Sequence, residues 1–355
     1  MKKIPIIIVT AANPYEMGIQ YGTQARSWIL KARDYYREMF ERKKENWSKV
    51  QKCSMDFFKE VEAAYPEQAQ EVEGIAAGAG VSVEDIMSIN SRYEISKFPK
   101  LPECTTGAVL PEAAENGHTL AFKNWDLNIQ VREHIVFLVI RQPDFWMAGF
   151  TEAGQMIRDG INSYGISLVS NNLQSTEDHY GLGIPVTFLR RRILYSKTFQ
   201  EAEQVLLNSK RTISNNIMLI DCRNGMARDY EWYPSGADIL EPEAGVLTHA
   251  NHFVKCPERD ALTGRPRNRD ARLRELMMVH HGHITVGHIK AALRDHKYYP
   301  LSICGHPGDP KDPYTKDRAT VSSMIVDFRA NEIYACIGSP CEEDYTLIHP
   351  KKEEL

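Results

Sequence analysis

The sequence contains no long apolar segment. Its apolar run near the start, residues 6–9, follows lysines at positions 2 and 3. A run this short is far below the roughly 20 residues of a membrane helix, and it is too short for the apolar region of a signal peptide. We therefore interpret residues 6–9 as a short buried strand and expect a cytoplasmic protein.

The charges show no strong excess of one sign. The 355 residues include 43 Lys and Arg against 47 Asp and Glu, which gives a formal net charge of -4 at pH 7. A protein that binds nucleic acid or an anionic membrane usually carries a clear basic excess, so the near balance argues against both partners. The chain is long enough for a sizeable core, with 43% hydrophobic and 25% charged residues as in globular proteins.

Cysteine is present, but it lacks paired spacing. The seven cysteines form an odd number, and no two of them are spaced as C-x-x-C. Disulfide frameworks and zinc ribbons normally show even numbers or such pairs. We predict reduced thiols, most of them buried.

Residues 13–96 carry a helical pattern almost throughout. The dipeptide Asn13-Pro14 starts a helix that we predict to run through Tyr36, and Ser82 is the predicted N-cap of a later helix. Two more amphipathic stretches lie between them, at residues 55–64 and 68–77. The first hundred residues therefore form a helical layer.

The character of the chain changes at Cys104. Before it, Pro99 and Pro102 mark residues 97–103 as an extended linker, and after it short apolar runs alternate with helical pairs. This order is typical of an α+β protein in which helices lie outside two stacked sheets. The predicted strands are residues 105–110, 119–123, 134–140, 146–151, 166–169, 217–221, 226–233, 246–248, 321–328 and 332–337. The predicted helices are residues 186–195, 199–208, 270–280 and 286–294.

The segment Glu103-Cys104-Thr105-Thr106-Gly107 places a thiol where the linker meets a strand. A cysteine there can be exposed at a strand end while the strand holds its backbone, as a nucleophile requires. Lys123-Asn124-Trp125-Asp126 lies at the end of the next predicted strand, and a hairpin would return that end to Cys104. We expect Asp126 near Cys104, although a lone cysteine is more often simply buried.

A cut between Glu103 and Cys104 would give Cys104 a free α-amine. Such an amine titrates at roughly pH 7.7–8, so it can take the thiol proton and later return it to a leaving group. Acyl transfer also needs hydrogen-bond donors for the oxyanion of the tetrahedral intermediate. Asn171-Asn172 and Asn251, each following a predicted strand, are candidates, and both sites are also compatible with ordinary turn chemistry.

Several motifs resemble a known family in their order and spacing. The chain resembles the acyl-coenzyme A:6-aminopenicillanic acid acyltransferase family of N-terminal-nucleophile hydrolases, which is similar to the choloylglycine hydrolases. The resemblance spans nearly the whole chain. The motifs are Asn13-Pro14-Tyr15-Glu16-Met17-Gly18, Gln20-Tyr21-Gly22, Glu103-Cys104-Thr105-Thr106, Asn124-Trp125-Asp126, His249-Ala250-Asn251-His252-Phe253 and residues 269–276.

The resemblance implies a four-layer αββα sandwich and a role for each matching residue. Cys104 would be the nucleophile of self-cleavage and of turnover, and Asp126 would orient its new α-amine. Asn172 and Asn251 would orient the acyl carbonyl, with Asn251 the better oxyanion donor. The substrate would contact Lys123, where related bile-salt hydrolases carry an arginine, and also Trp125 and one late residue among Arg318, Thr320 and Ser322.

One residue departs from the family pattern. The family commonly has glycine before the cysteine, whereas Glu103 stands there in this chain. Self-cleavage proceeds by an N-to-S acyl shift through a strained peptide, and glycine adopts unusual backbone angles at the least cost. Glu103 therefore bears on how efficiently the chain processes itself.

A metal hydrolase is one alternative. His280, His281 and His283 are close in sequence, and Cys304-Gly305-His306 offers a soft pair of ligands. Consecutive histidines point to different faces of a helix, and the H-E-x-x-H pattern with its glutamate is absent. We therefore predict neither a catalytic metal nor any other cofactor.

Two further alternatives concern Cys104 itself. A papain-like enzyme would use His249 or His252 as the base and would need no self-cleavage, but the papain-type signature around the cysteine is absent. A non-catalytic relative would keep the fold, never mature, and bind an acyl amide or a protein partner. Glu103 is the feature that favours this last alternative.

We predict a helical segment, residues 1–103, that stays bound as a small subunit after cleavage, and an αββα catalytic core, residues 104–355. The predicted reaction is attack by Cys104 on a linear amide or an acyl thioester through a thioester acyl-enzyme. Hydrolysis is favoured over transfer because water is always available. Coenzyme A would enter only as part of an acyl-CoA substrate. A homo-oligomer is compatible with the sequence, which identifies neither the acyl group nor the amine.

Overall fold

The computed structural model describes residues 3–96, 104–262 and 267–351. The predicted linker, residues 97–103, and with it Glu103, lies outside the described residues. Within the described ranges no helix combines the length and the apolarity needed to cross a membrane.

The first segment begins with a short strand and continues as helices. Ser82 accepts a hydrogen bond from the backbone N–H of Asp85, which confirms its predicted role as an N-cap. Asn13 caps the first helix, but that helix stops at Gln24 and a second one begins at Arg26, so the prediction of one unbroken helix was wrong. The elements are β1 (Ile6–Val9), α1 (Pro14–Gln24), α2 (Arg26–Arg42), α3 (Trp47–Ala64), α4 (Pro66–Ala79), α5 (Val83–Asn90) and α6 (Arg92–Ile95).

Glycines let α1 and α4 pack at very short range. A Cβ atom at Gly18 would lie 2.2 Å from the carbonyl oxygen of Glu71, and one at Gly22 would lie 2.3 Å from that of Ile75. Only residues without a side chain allow the two backbones to approach this closely. The close approach explains the glycines of the N-terminal motif, and both helices pack against the larger sheet.

The larger sheet has eight strands in the order β1-β4-β5-β6-β7-β8-β9-β10. β1 pairs with β4 in parallel, so the first segment supplies an edge strand to the sheet of the core. The other pairings in this sheet are antiparallel. Its remaining strands are β4 (Ile135–Gln142), β5 (Phe145–Glu152), β6 (Asp159–Asn162), β7 (Ile166–Asn172), β8 (Asn215–Asp221), β9 (Met226–Tyr233) and β10 (Gly236–Leu240).

The smaller sheet has six strands in the order β11-β2-β3-β12-β13-β14. The predicted hairpin of β2 and β3 is confirmed, with Thr105 opposite Asn124. All the pairings in this sheet are antiparallel. Its strands are β2 (Thr105–Val109), β3 (Leu120–Asn128), β11 (Val246–His249), β12 (Arg318–Asp327), β13 (Glu332–Ile337) and β14 (Thr346–Ile348).

Three apolar clusters define four layers. The cluster between the sheets combines side chains such as Phe137 and Met218 of the larger sheet with Met324 of the smaller one. A second cluster lies between the larger sheet and α1, α3, α4, α5, α7 (Val186–Leu194) and α8 (Phe199–Asn208). A third lies between the smaller sheet and α9 (Arg269–Met278) and α10 (Val286–Leu293). The protein is therefore an αββα sandwich, as the order of elements predicted.

β3 differs from its prediction in a way that matters for the site. The apolar pattern placed its end at residue 123, whereas the strand continues to Asn128. Two of the added residues are polar and buried, and each has a hydrogen-bond partner in the fold: Asn124 donates to the carbonyls of Leu293 and Ile303, and Asp126 accepts from Thr320. Paired polar residues keep a strand buried without an apolar pattern.

Candidate active site

Cys104 lies one residue before β2 and is 2% exposed. Its Sγ is 3.8 Å from the backbone carbonyl oxygen of Asp126 on the neighbouring strand. Because Thr105 is opposite Asn124 in the register, the residue before Thr105 meets the strand at Trp125 and Asp126. The expected proximity of Cys104 and Asp126 is therefore confirmed by the strand pairing.

The carboxylate of Asp126 is held by Thr320 on β12. The Thr320 hydroxyl donates to Asp126 Oδ1 over 2.6 Å and accepts from the backbone N–H of Gly305 over 2.9 Å. Thr320 N–H donates in turn to the carbonyl oxygen of Gly305 over 3.0 Å. This chain of hydrogen bonds fixes the hydroxyl's direction, so that it donates to the carboxylate.

Cys104 borders a pocket of about 290 Å³ that both segments of the chain build. The volume is close to that of a small-molecule site. Aromatic and aliphatic side chains make much of its wall, and cationic side chains lie among them. The lining residues are Tyr35, Tyr36, Met39, Lys43, Arg92, Tyr93 and Ser96 from the first segment, and Cys104, Trp125, Asp126, Leu127, Asn128, Arg158, Asn172, Pro313, Tyr314, Asp317 and Arg318 from the core.

Arg158 is a pocket residue that the sequence analysis missed. Its guanidinium carbon lies 4.5 Å from the ring centre of Trp125, and Nη1 donates to the hydroxyl of Tyr93 over 3.2 Å. Burial lowers the pKa of Arg158, but the acidic groups of Tyr93, Asp159 and Cys104 raise it by more. Arg158 thus brings a lasting positive charge to the side of the pocket that holds the thiol. The weak signal was the charged pair Arg158-Asp159, which lies where β6 begins.

Lys123 lies beneath the pocket and is not among the described residues that line it. Its ammonium donates to Asp159 Oδ2 over 2.7 Å and also to the carbonyl oxygen of Ser170. Burial lowers the pKa of Lys123, and the carboxylate of Asp159 partly offsets this. The lysine ties β3 of the smaller sheet to β6 and β7 of the larger one. Its predicted contact with substrate is therefore not supported by its position, because its ammonium is directed to these partners.

The two predicted oxyanion residues differ in their surroundings. Asn172, at the end of β7, lines the pocket with Cys104. Asn251 is not among the described residues of the pocket wall: its Nδ2 donates to the carbonyl oxygen of Asn172 over 2.9 Å, and its Oδ1 accepts from Arg269 over 3.1 Å. Asn172 therefore borders the pocket, whereas the amide of Asn251 is engaged with the backbone of Asn172 and with Arg269.

His249 is unsuited to act as a base for Cys104. Its Nδ1 lies 2.6 Å from the carbonyl oxygen of Ala250, and its Nε2 lies 3.0 Å from Glu231 Oε1. Burial lowers the pKa of His249, but the neighbouring carboxylates outweigh it and raise the pKa to about 9. An imidazole that is already protonated cannot accept the thiol proton near neutral pH. Neither His249 nor His252 is among the described residues that line the pocket.

The late candidates separate along β12. Arg318 lines the pocket, and Thr320 holds Asp126. Ser322 is buried within the sheet, opposite Trp125 and Ile337. The register shifts between Thr320 and Ser322, which turns successive side chains toward different neighbours. Arg318 stays the predicted substrate contact of the three.

These features define a class of protein. A thiol lies at the start of an inner strand of an αββα sandwich and borders a pocket that a carboxylate and an amide also line. Among the described residues, no histidine lines this pocket as a candidate base. This is the arrangement of the N-terminal-nucleophile amidohydrolases and acyltransferases.

The chain belongs to the acyl-coenzyme A:6-aminopenicillanic acid acyl-transferase family, whose model matches residues 113–342. Asp126, Asn172, Asn251 and Arg318 fall inside the matched range, and Cys104 precedes it. A relative from Emericella nidulans, the acyl-coenzyme A:6-aminopenicillanic-acid-acyltransferase 40 kDa form, is 24% identical over 351 residues, which cover 96% of this chain and 95% of that protein. The protein is accordingly an enzyme of amide hydrolysis or acyl transfer.

Two solved structures are also similar. A mutant of conjugated bile acid hydrolase from Clostridium perfringens is 15% identical, with a TM-score of 0.48 over 70% of this chain and 93% of that chain. Penicillin V acylase from Agrobacterium tumefaciens is 14% identical, with a TM-score of 0.47 over 66% of this chain and 83% of that chain.

Proposed function

We propose that the chain cuts itself between Glu103 and Cys104 and then hydrolyses a linear acyl amide with the sulfur of Cys104. The observation that carries this proposal is the position of Cys104, one residue before β2 and at the edge of a pocket shared with Asp126, Asn172 and Arg158. A terminal residue in that place would present its thiol and its α-amine to one substrate carbonyl.

Maturation needs only groups that the chain supplies. Cys104 Sγ attacks the carbonyl carbon of Glu103, the Glu103-Cys104 C–N bond breaks, and a thioester replaces the amide while the freed nitrogen takes the thiol proton. Water then hydrolyses the thioester, leaving the carboxylate of Glu103 and the thiol and α-amine of Cys104. Asp126 is suited to hold that new amine as an ammonium because Thr320 fixes its carboxylate.

Turnover repeats the same chemistry on a substrate. The α-amine takes the thiol proton, sulfur attacks the acyl carbonyl, and the proton passes to the leaving amine as the C–N bond breaks. Water, deprotonated by the α-amine, then releases the acid from the thioester. Asn172 and Arg158 line the pocket with Cys104, so Asn172 would donate to the oxyanion and the positive charge of Arg158 would favour the negative charge that develops there.

The pocket wall suggests the substrate class. Tyr35, Met39, Trp125 and Leu127 offer an apolar surface for an acyl chain or an aromatic acyl group. A small-molecule acyl amide fits this wall, and an acyl-CoA would serve only if the amine of a second substrate replaced water. We favour hydrolysis because water always competes for the acyl-enzyme.

The test is intact mass spectrometry of freshly purified protein, followed by labelling. Two fragments split between Glu103 and Cys104 are expected, and the larger one should react with a cyanobenzothiazole reagent, which is selective for N-terminal cysteine. Brief incubation with p-nitrophenyl esters of linear acids should then add one acyl mass to that fragment, removable by hydroxylamine. A chain that stays whole and nonetheless turns over amides would leave the papain-like mechanism in its place.

Thr320→Val tests the positioning of Asp126. Valine keeps the volume but removes the hydroxyl that donates to the carboxylate, and we expect kcat to fall about 10²-fold with KM little changed, since the carboxylate would no longer be held in one direction. Thr320→Ser retains the hydroxyl and should stay within a few-fold of wild type. Steady-state kinetics on the processed enzymes checks this. Activity that is kept in Thr320→Val and lost in Thr320→Ser would mean that the site needs the methyl group and not the hydrogen bond.

A further inference from the structure

Four potential metal ligands from three parts of the chain meet near the beginning of β12 and the end of β13. His296 follows α10, Cys304 and His306 lie in the loop before β12, and Cys341 lies after β13. One ligand atom from each, two sulfurs and two ring nitrogens, all lie within 4.8 Å of one another. Cys304 is buried, while His296 and Cys341 are exposed, so an ion can reach the cluster from solvent.

Three of the distances between these atoms agree with a single tetrahedral ion, and a fourth is slightly shorter. With zinc–sulfur and zinc–nitrogen bonds of about 2.3 and 2.0 Å, ligand atoms lie about 3.3–3.8 Å apart. The two sulfurs, of Cys304 and Cys341, are 3.5 Å apart, and they lie 3.6 and 3.3 Å from His306 Nε2. His296 Nε2 is 3.0 Å from His306 Nε2. Two sulfurs at 3.5 Å are well beyond the roughly 2.05 Å of a disulfide bond.

A carboxylate supports one of the ligands from behind. Glu342 Oε1 lies 3.5 Å from His306 Nδ1, the ring nitrogen that faces away from the cluster. Metal-bound histidines commonly donate their other N–H to a carboxylate, which fixes the tautomer that leaves Nε2 free to bind. The direction of His306 therefore suits a ligand rather than a simple surface histidine.

We infer that His296, Cys304, His306 and Cys341 bind one divalent metal ion of the zinc type. Two thiolates and two imidazoles are the ligands that zinc prefers, and four protein ligands close its coordination shell. A closed shell leaves no place for a reacting water, so the ion is structural. This site lies outside the pocket of Cys104 and needs no metal in the reaction.

The ion would brace the loop that reaches the active site. Gly305, between two of the ligands, exchanges hydrogen bonds with Thr320, which holds Asp126. Asn124, in the same strand as Asp126, donates to the carbonyl of Ile303 over 2.8 Å. The metal ion would thus hold the loop that contains Gly305, and this loop in turn positions the carboxylate of Asp126 through Thr320.

The experiment uses the full-length protein, independent of any activity. Protein purified without chelator is analysed by elemental mass spectrometry, and we expect about one equivalent of zinc per chain, because a closed four-ligand site binds tightly. Replacing zinc by Co²⁺ should give the visible absorption of tetrahedral cobalt and a thiolate-to-cobalt band in the near ultraviolet. Zinc should also raise the Tm of the metal-free protein, because only the folded chain assembles the ligands.

Two variants at exposed positions, Cys341→Ser and His296→Gln, test the ligand set, with circular dichroism to confirm that each folds. Each should lower zinc affinity by more than about 10²-fold and abolish the cobalt spectrum, given that even supporting partners affect affinity about 10- to 100-fold. Cys53→Ser, which removes an exposed cysteine on α3, should bind as wild type does. Absence of both zinc uptake and the cobalt spectrum in wild type, unchanged affinity in both variants, or a Cys304–Cys341 disulfide in fresh protein would overturn the inference.

Discussion

Cys104→Ala is expected to remain one full-length chain and to lose amide turnover by about 10⁴-fold or more, because the thiol is both the group that cleaves the chain and the group that carries the acyl intermediate. The sulfur lies 3.8 Å from the carbonyl oxygen of Asp126, inside a pocket wall that alanine leaves otherwise intact. Intact mass spectrometry reads the first effect, and release of an amine from a linear acyl amide reads the second.

Cys104→Ser is the matched variant, since it keeps a nucleophile of nearly the same size. We expect slower processing and slower turnover, because a hydroxyl ionises far less readily than a thiol. Cys53→Ser, at an exposed cysteine of α3, should process and turn over as wild type does. Fragments of the same mass in the Cys104→Ala sample would mean that another protease, and not Cys104, cuts the linker.

The sequence was sufficient to predict the elements that follow simple periodicity. The bounds of α8, β9 and β13 agree with the predicted residues 199–208, 226–233 and 332–337. Local apolar patterns end there at clear turn residues, so pattern and structure coincide. The proximity of Cys104 and Asp126 was predicted for the same reason, because a hairpin is a local structure whose register follows from its two strands.

Three short strands were not predicted from periodicity. β6, β10 and β14 were not predicted: β6 contains Asp159 and Gly160, and β10 and β14 are short edge elements with little apolar pattern. They are strands because neighbouring strands offer them hydrogen bonds. Such tertiary pairing overrides local propensity.

Residues that act together across long sequence separations could not be assigned. Arg158 enters the pocket because β6 lies beside β5 and β7, and nothing near it in sequence indicates Cys104. Cys304 and His306 were noticed as a pair, but Cys341 lies 35 residues beyond His306, and only the pairing of β12 with β13 brings them together. Sequence motifs based on spacing detect metal sites whose ligands lie on one loop. They miss sites whose ligands come from several separate parts of the chain.

Both segments of the chain line the pocket, so they must stay together after cleavage for the pocket to remain complete. Tyr35, Met39 and Tyr93 of the first segment line the pocket together with Cys104 and Trp125 of the core. β1 also completes the larger sheet through its pairing with β4. If the first segment left after cleavage, the site would lose much of its apolar wall. The contacts that hold the two segments together therefore also keep the active site intact.

Glu152→Ala is expected to lower the free energy of unfolding by about 3–5 kcal/mol, the usual cost of leaving a buried charge without its partner. Glu152 is 0% exposed and belongs to β5 of the core. It accepts hydrogen bonds from Arg92 and Tyr36 of the first segment, and His134 Nε2 lies 3.4 Å away. Removing it strands the Arg92 charge at the junction of the two segments. Urea unfolding of the uncut Cys104→Ala chain, with and without Glu152→Ala, measures the loss.

The pH dependence of the free energy of unfolding, measured on the same two proteins, is a second test of the role of Glu152. Burial raises the pKa of Glu152, but Arg92, the nearby His134 and the hydrogen bond from Tyr36 outweigh it and lower the pKa to about 2. A lowered carboxyl pKa contributes stability that is complete above the ordinary value of 4.5 and is lost as pH falls from there toward 2. The stability difference between the two chains should therefore be constant near neutral pH and shrink below pH 4.5.

In the processed enzyme the same substitution should loosen the two fragments, so that they separate on gel filtration at urea concentrations where the wild-type pair stays together. Glu38→Ala is the matched control, because it removes a glutamate from an exposed ion pair with Arg42 within the first segment and should leave both stability and fragment association unchanged. Glu152→Gln, which keeps an acceptor for Tyr36 and loses the charge, should fall between the two. Equal behaviour of Glu152→Ala and Glu38→Ala would mean that β1 and the apolar cluster hold the segments together without this ion pair.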